Sequence, residues 1–470
     1  MNILDAFIGN ALRHPERIAV IDGRGRSTSY ARLVNMAAEL ASSWRTAGVR
    51  RGDRVLLAMT VDADLYASLA ALWSIGATVV FPEPALGLKG LRTAIDIARP
   101  DAFVANGAYR MLPLISSAVR RIPIRLGTHV RDTGATMDVV DLPADHHALI
   151  SFTTGSTGRP KAIARSHGFL EAQNHAVSPL LGTPSPSVDL VGFPVFVVAA
   201  LGRGDTSVLP NWKASDPGHA DPTRIAEHCE RNGVSRLLVN PTIADGMTRT
   251  RPPRGLHTVF VGGGPVFPDL VDRLIEWSPG LLVVPVYGST EAEPIAHHEI
   301  WGENPDQDEG RTGLVAGRVA EGTRMRIVDD EIQVAGDHVV RGYLDPGNDA
   351  GTKIVDVDGT IWHRTGDAGR IDVYGRLRLL GRHGNDVDGL WPFPVETQAR
   401  RWPGVTRCAL IRVEGGAALV VEGSRRHHAE WTSRFRGMGG THVLHVRRIP
   451  VDARHGSKID MHALRRMLES

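Results

Sequence analysis

The run Ser151-Phe152-Thr153-Thr154-Gly155-Ser156-Thr157-Gly158-Arg159-Pro160-Lys161 concentrates hydroxyls, glycines and one ammonium in a short loop. Gly155 and Gly158 can take positive φ and bring bare backbone close to a ligand. Backbone N–H groups, the hydroxyls of Thr153, Thr154, Ser156 and Thr157, and the Lys161 ammonium then converge on one small volume. That chemistry suits a polyphosphate. It is not a Walker loop, which needs Gly-Lys-Ser/Thr, whereas here Gly158 is followed by Arg-Pro-Lys. A second candidate is Gly262-Gly263-Gly264-Pro265 after Val259-Phe260-Val261, where a flat ring could lie against naked backbone. A third is Tyr287-Gly288-Ser289-Thr290-Glu291, with an aromatic, a hydroxyl and a carboxylate at the end of a predicted strand. In a parallel sheet that is where ligands bind. Taken singly, each has a plain reading as a linker or a turn.

These residues need a scaffold, and the surrounding pattern supplies one. Ala148-Leu149-Ile150 reads as a buried strand feeding the loop, and after Lys161 the chain turns polar, then helical from about Ser166. Upstream, Arg17–Asp22 predicts a strand, and Ser27-Thr28-Ser29 offers an N-cap for a helix from Tyr30 to Ala47. Asp53–Met59 and Ala77–Phe81 predict strands around a helix over Asp62–Ile75 ended by Gly76. The alternation repeats in Leu91–Arg99 with Ala102–Ala105, and in Arg224–Asn232 with Arg236–Val239. Such alternation implies a parallel sheet covered by helices on both faces. From about Glu331 the texture becomes short alternating strands and turns through Leu380, which reads as a small antiparallel β unit. The fold class is therefore α/β. A polar, glycine-containing stretch at Gly384–Gly389 marks a boundary, giving residues 1–381 as a large N-terminal domain and 382–470 as a small, mobile C-terminal α/β lid.

The chain has 470 residues, too many for one ordinary core. Hydrophobic residues make up 42% and charged residues 23%, a globular composition. A formal net charge of +2 argues against a dedicated nucleic-acid binder. The basic runs Arg425-Arg426-His427-His428 and Arg447-Arg448 read as solvated surface. Cys229 and Cys408 are the only cysteines, too few for a disulfide framework or a four-cysteine zinc site, so a reducing cytoplasm is expected. The N-terminus lacks the pattern of a signal peptide. Val195–Leu201 is far too short to span a bilayer.

With these motifs in order, the chain resembles the adenylate-forming superfamily of acyl-CoA synthetases, peptide-synthetase adenylation domains and luciferases. Thr153–Lys161 resembles its phosphate loop, Gly263-Gly264 its adenine shelf, and Tyr287-Gly288-Ser289-Thr290-Glu291 its Tyr-Gly-x-Thr-Glu signature. The resemblance implies that Tyr287 stacks on adenine, Thr290 contacts the α-phosphate and Glu291 holds magnesium. Hard oxygen ligands suit Mg²⁺ on a nucleotide. Arg364-Thr365-Gly366-Asp367 resembles a signature in which the aspartate binds both ribose hydroxyls, and Arg382 the arginine that closes the hinge. Gly456-Ser457-Lys458-Ile459 resembles the lid motif whose lysine reaches between carboxylate and α-phosphate. There Lys458 would stabilise charge growing in the in-line transition state. The implied reaction takes ATP, Mg²⁺ and a small-molecule carboxylic acid to an acyl-adenylate and pyrophosphate.

The second half-reaction departs from the thioester-forming pattern. Where many acyl-CoA synthetases carry Phe-His, this chain has Phe193-Pro194-Val195-Phe196. The hinge segment Gly381-Arg382-His383-Gly384-Asn385-Asp386 is followed by no lysine. Those segments, with Glu293-Pro294 and Pro450-Val451-Asp452-Ala453-Arg454-His455, look like the β-lactone synthetases of bacterial olefin biosynthesis. In that branch the substrate's own 3-hydroxyl captures the adenylate, with the advantage of effective concentration. Capture by CoA or a carrier-protein thiol, adenylation of an oxyanion such as nitrite, and a non-catalytic adenylate-binding protein stay open as alternatives.

Overall fold

The computed structural model describes residues 1–129, 134–154, 160–213, 216–302, 311–452 and 456–469. Gly155, Ser156, Thr157 and Gly158 of the phosphate loop, and the side chain of Thr154, lie outside the described residues.

Two large sheets carry the N-terminal part. One has six strands in the order Ile124–Leu126, Ala102–Ala105, Arg54–Ala58, Thr78–Phe81, His147–Thr154 and Pro160–Ser166. The first five are parallel, and the last returns antiparallel to its neighbour. The parallel strands are mainly apolar because helices cover both faces; Ala102–Ala105 is buried at every position. The helices begin where polar side chains satisfy free backbone N–H groups. Ser29 accepts from Arg32 N ahead of helix Tyr30–Thr46, and Asp62 accepts from Leu65 N ahead of Ala63–Ile75. Gly76, at φ +82°, closes the second of these in the left-handed region.

The helix expected from about Ser166 is present as His167–Leu181, with Ser166 as its N-cap, but residues 160–166, expected as a polar stretch, form a strand paired with His147–Thr154. Ala162 and Ile163 are buried, which holds the segment on the sheet. Lys161 therefore sits on a strand, opposite Thr153. The antiparallel β unit expected from about Glu331 is present and is continuous with the second large sheet. It extends a 15-stranded sheet, in which parallel strands Val188–Val191, Arg236–Val239, Thr258–Val261 and Leu282–Ser289 continue through Ala292–His297 into the antiparallel strands. Residues 361–371, expected as two short strands around a turn, are one strand, Ile361–Ile371. Gly366, at φ +69°, and a bulge at Ala368/Gly369 bend it without breaking it.

Beyond Arg382 a three-stranded sheet, Val405–Val413, Gly416–Gly423 and His442–Val446, packs with helices Pro392–Arg400, His428–Gly437 and Met461–Glu469. Trp431 and Phe435 are fully buried in its core. Helix Pro392–Arg400 meets helix Pro268–Trp277 of the large part. Arg400 spans both oxygens of Asp269 at 2.8 Å each, and the Phe267 and Phe393 rings meet edge-on at 6.0 Å. Arg425, Arg426, Arg447 and Arg448 are exposed, as expected of solvated charge. Cys229 and Cys408 are free and buried. No helix of the described residues is long and apolar enough to cross a membrane.

Glu396, on that contacting helix, is buried, and its Oε1 accepts a hydrogen bond from Leu410 N at 3.0 Å. Burial pushes its pKa up to about 8 from an ordinary 4.5. The unfolded chain ionises there first, so stability declines as pH rises from about 4.5 to about 8. The slope is roughly 1.4 kcal/mol per pH unit. Glu396→Gln keeps the acceptor and removes the ionisation. Its melting temperature should exceed the parent's by a margin that widens between pH 5 and pH 8 and then levels off. A margin independent of pH would show that Glu396 is already ionised in the fold.

Candidate nucleotide and acyl-activation site

Four segments far apart in sequence meet at the C-terminal end of strand Leu282–Ser289. That strand carries Tyr287 and Gly288 to the sheet edge and turns at Thr290-Glu291 into Ala292–His297, with Ser289 opposite Ala292. The parallel neighbour Thr258–Val261 delivers Gly262, Gly263 and Gly264 beside it. A Cβ on Gly262 would stand 3.2 Å from Val286 O, and Gly263 has φ +77°. The shelf is backbone because side chains have no room there.

Asp367 lies on strand Ile361–Ile371, opposite Arg382. Its Oδ2 accepts the Tyr287 hydroxyl at 2.9 Å, and its Oδ1 accepts Arg382 Nη1 at 2.8 Å. Burial and the Asp367 carboxylate hold the Tyr287 phenol neutral by raising its pKa. A carboxylate has about four acceptor positions, so two remain for a diol. In this conformation Arg382 serves the same carboxylate as Tyr287.

Glu291 accepts the Tyr343 hydroxyl at 3.0 Å. The Tyr343 ring lies under two ammonium groups, Lys161 Nζ at 5.0 Å and Lys353 Nζ at 5.6 Å from its centroid. Lys353 donates to Val340 O and lies 3.2 Å from His363 Nδ1. Burial pushes the Lys353 pKa down to about 8, against the pull of Glu291 and Asp349. Burial, aided by Lys353, pushes His363 down to about 4. Buried Arg165 donates from Nη2 to the Thr290 carbonyl at 2.6 Å and faces Glu291 and Glu293. It thus ties the strand after the phosphate loop to the turn bearing Thr290 and Glu291.

Lys458 arrives from the C-terminal part. Its N–H donates to Asp452 Oδ1 and its carbonyl accepts Asp452 N, which fixes the turn. The preceding residues sit on the glycine shelf. A Cβ on Gly264 would lie 2.4 Å from Ser457 Oγ, and one on Gly456 would lie 3.2 Å from Thr242 Oγ1.

The structure therefore brings Gly263, Gly264, Tyr287, Gly288, Thr290, Glu291, Asp367, Arg382 and the Lys458 turn to one region, with Lys161 reaching it through Tyr343. Tyr343, Lys353, His363 and Arg165 belong to the same cluster without having been singled out from sequence. A buried Lys–His pair at opposed strand positions, 353 and 363, carries no sequence signature. The Ser289 and Ser457 hydroxyls are buried and have no hydrogen-bond partner among the described residues. Together with the naked shelf and the spare Asp367 acceptors, these fit a nucleotide. The hard carboxylate of Glu291, held from one side by Tyr343, fits a magnesium ion.

The family described as AMP-binding enzyme matches residues 7–344. An olefin β-lactone synthetase of Stenotrophomonas maltophilia is 27% identical, over 96% of this chain and 93% of that protein. A feruloyl-CoA synthase of Amycolatopsis is 30% identical, over 89% of this chain and 88% of that protein. The fold is similar to that of the amide bond synthetase McbA from Marinactinospora thermotolerans, with TM-score 0.82 and 23% identity over 98% of this chain and 99% of that one.

Proposed function

The chain belongs to the family of AMP-binding enzymes, and on that premise we propose that it activates a 3-hydroxy acid as its acyl-adenylate and lets that hydroxyl close a β-lactone. It is an AMP-forming ligase. A carboxylate oxygen attacks the α-phosphorus of ATP, the bond from α-phosphorus to the bridging oxygen breaks, and pyrophosphate leaves. The hydroxyl then attacks the acyl carbon, its proton passes to solvent, and AMP departs with the former carboxylate oxygen. No external thiol is needed, and the intramolecular nucleophile carries its own effective concentration.

The roles divide by position. Gly263 and Gly264 give adenine a flat backing and Tyr287 stacks on it. Asp367 takes the ribose diol. Lys161, with Thr153 to Gly158, cradles the outer phosphates. Thr290 contacts the α-phosphate, and Lys458 meets the charge shared between carboxylate and α-phosphate. Glu291 holds magnesium, which when bound would neutralise phosphate charge and polarise the α-phosphorus. We assign residues 1–381 to the large domain and 382–470 to a lid that moves about Arg382. The free, buried cysteines suit a reducing cytoplasm.

The observation that carries the adenylation reading is the seating of Ser457, next to Lys458, on Gly264. It supports the role given to Lys458 by bringing the adjoining residue to the glycine shelf. For lactone formation the support is the near full-length likeness to the olefin β-lactone synthetase. Phe193 and Phe196 add to it: they pack edge-on at 6.1 Å, an apolar pair where thioester-forming relatives place histidine.

The test is mass spectrometry of products from ATP, Mg²⁺ and a panel of 3-hydroxy acids, with and without CoA. The expected result is AMP, pyrophosphate and an acid-minus-water product without CoA. A thioester formed only when CoA is present would replace lactonisation by thiol ligation, the activity named for the feruloyl-CoA synthase relative. ADP as the nucleotide product would remove adenylation itself.

A further inference from the structure

Tyr343 takes no part in the steps just described, yet it touches both charged ends of the phosphate site. Its hydroxyl donates to Glu291 Oε1 at 3.0 Å, and its ring faces the Lys161 ammonium at 5.0 Å. The two charges are opposite, and no ion pair joins them directly among the described residues. The phenol gives each a different partner: the π face takes the cation and the hydroxyl takes the anion.

The backbone around Tyr343 is pinned to both elements it bridges. Val340 N donates to Glu291 O, and Val339 pairs with Ala292. Leu344 N donates to Ala162 O, the residue after Lys161. Asp349 Oδ1 accepts Tyr343 N at 2.8 Å, and Lys353 closes on Val340 O. The segment is thus a strap from strand Pro160–Ser166 to the turn of Glu291, and Tyr343 is the side chain on it, among the described residues, that meets both charged groups.

We propose that Tyr343 is the positioning residue of the metal–phosphate site. It aims the Glu291 carboxylate and holds the Lys161 ammonium off it, so that neither neutralises the other before nucleotide and metal bind. A collapsed Lys161–Glu291 ion pair would have to be pulled apart at each turnover, at the cost of the attraction between the two charges. The inference rests on the reading of Glu291 as the magnesium residue.

Binding of ATP measured by calorimetry, in Mg²⁺ and in EDTA, tests it without any turnover. The quantity read is the factor by which Mg²⁺ tightens ATP binding. Glu291→Gln should collapse that factor. Tyr343→Phe keeps the ring and removes the hydroxyl, and should shrink the factor on the order of 10-fold, as loss of a partner behind a metal ligand does, with metal-free binding moving less. Tyr343→Leu removes the ring too and should also weaken metal-free binding, because Lys161 loses its face. If Glu291→Gln collapses the factor and Tyr343→Phe leaves it intact, Tyr343 only fills space and the inference is wrong. Equal weakening of both binding modes in Tyr343→Phe would overturn it likewise. If neither variant changes the factor, Glu291 does not hold the metal, and the inference falls with that reading.

Discussion

Lys458→Ala is expected to lower the rate of pyrophosphate formation on the order of 10²–10³-fold, the loss typical of deleting one preorganised electrostatic donor. The KM for ATP should move far less. The distinction follows from where the charge appears. In the ground state the carboxylate and the α-phosphate each have other partners. In the transition state negative charge is shared across the forming and breaking bonds, and an ammonium placed there gains most of its interaction at that moment. Lys458 is tied through its backbone to Asp452, and its neighbour Ser457 lies against Gly264. Helix Pro392–Arg400 is held to Asp269 through Arg400. Capture of a preformed adenylate needs no charge neutralisation between carboxylate and phosphate. The same variant given synthetic acyl-adenylate should therefore turn it over at a rate close to the parent's. Two assays on one variant thus separate the half-reactions. Pyrophosphate release near the parent rate would remove Lys458 from the mechanism, and equal losses in both assays would point to a misfolded lid.

The limits of legibility follow from the range of the interactions. Strands Ala102–Ala105 and Arg236–Val239 lie at the residues expected, because continuous apolar runs in a doubly covered sheet are a local signal. The helix starts at Ser29 and Asp62 were local too. Lys161 was legible as a residue but not as part of a strand. Its segment, Pro160–Ser166, opens on a proline and shows no regular polar–apolar alternation, so the tertiary pairing with His147–Thr154 defines it. Arg236, inside an apolar strand, is buried with Asp189 in a two-pronged ion pair at 2.8 and 2.6 Å. Forty-seven residues separate that pair in sequence, so neither charge announces the other. Tyr343 is the same problem at the site itself: its partner Glu291 lies 52 residues away. A motif exposes residues that act together within one loop. It is silent on a side chain that matters because the fold sets it against another motif.

Asp367 combines both cases. Its motif was legible, and Tyr287 and Arg382 were each singled out from the sequence, but not that both would bond to Asp367. Asp367→Ala should weaken ATP binding on the order of 10- to 100-fold, since hydrogen bonds to a buried charged acceptor are worth roughly 1–3 kcal/mol. A simple loss is ambiguous, however. Removing the carboxylate leaves the Tyr287 hydroxyl without its acceptor at 2.9 Å and Arg382 without its counter-charge at 2.8 Å. The Tyr287 ring would then be free to shift, and binding would fall even if the ribose never touched Asp367. A double-mutant cycle across protein and ligand resolves this. ATP and 2′,3′-dideoxy-ATP are titrated into the parent and into Asp367→Ala by calorimetry. If the two spare acceptor positions of Asp367 hold the diol, deleting the hydroxyls weakens binding to the parent and barely alters binding to the variant. The coupling between the two deletions is then roughly 1–3 kcal/mol. If Asp367 serves only to orient Tyr287, the hydroxyls matter equally in both proteins and the coupling is near zero. That second outcome would place the ribose elsewhere and leave Asp367 as the residue that fixes the Tyr287 ring.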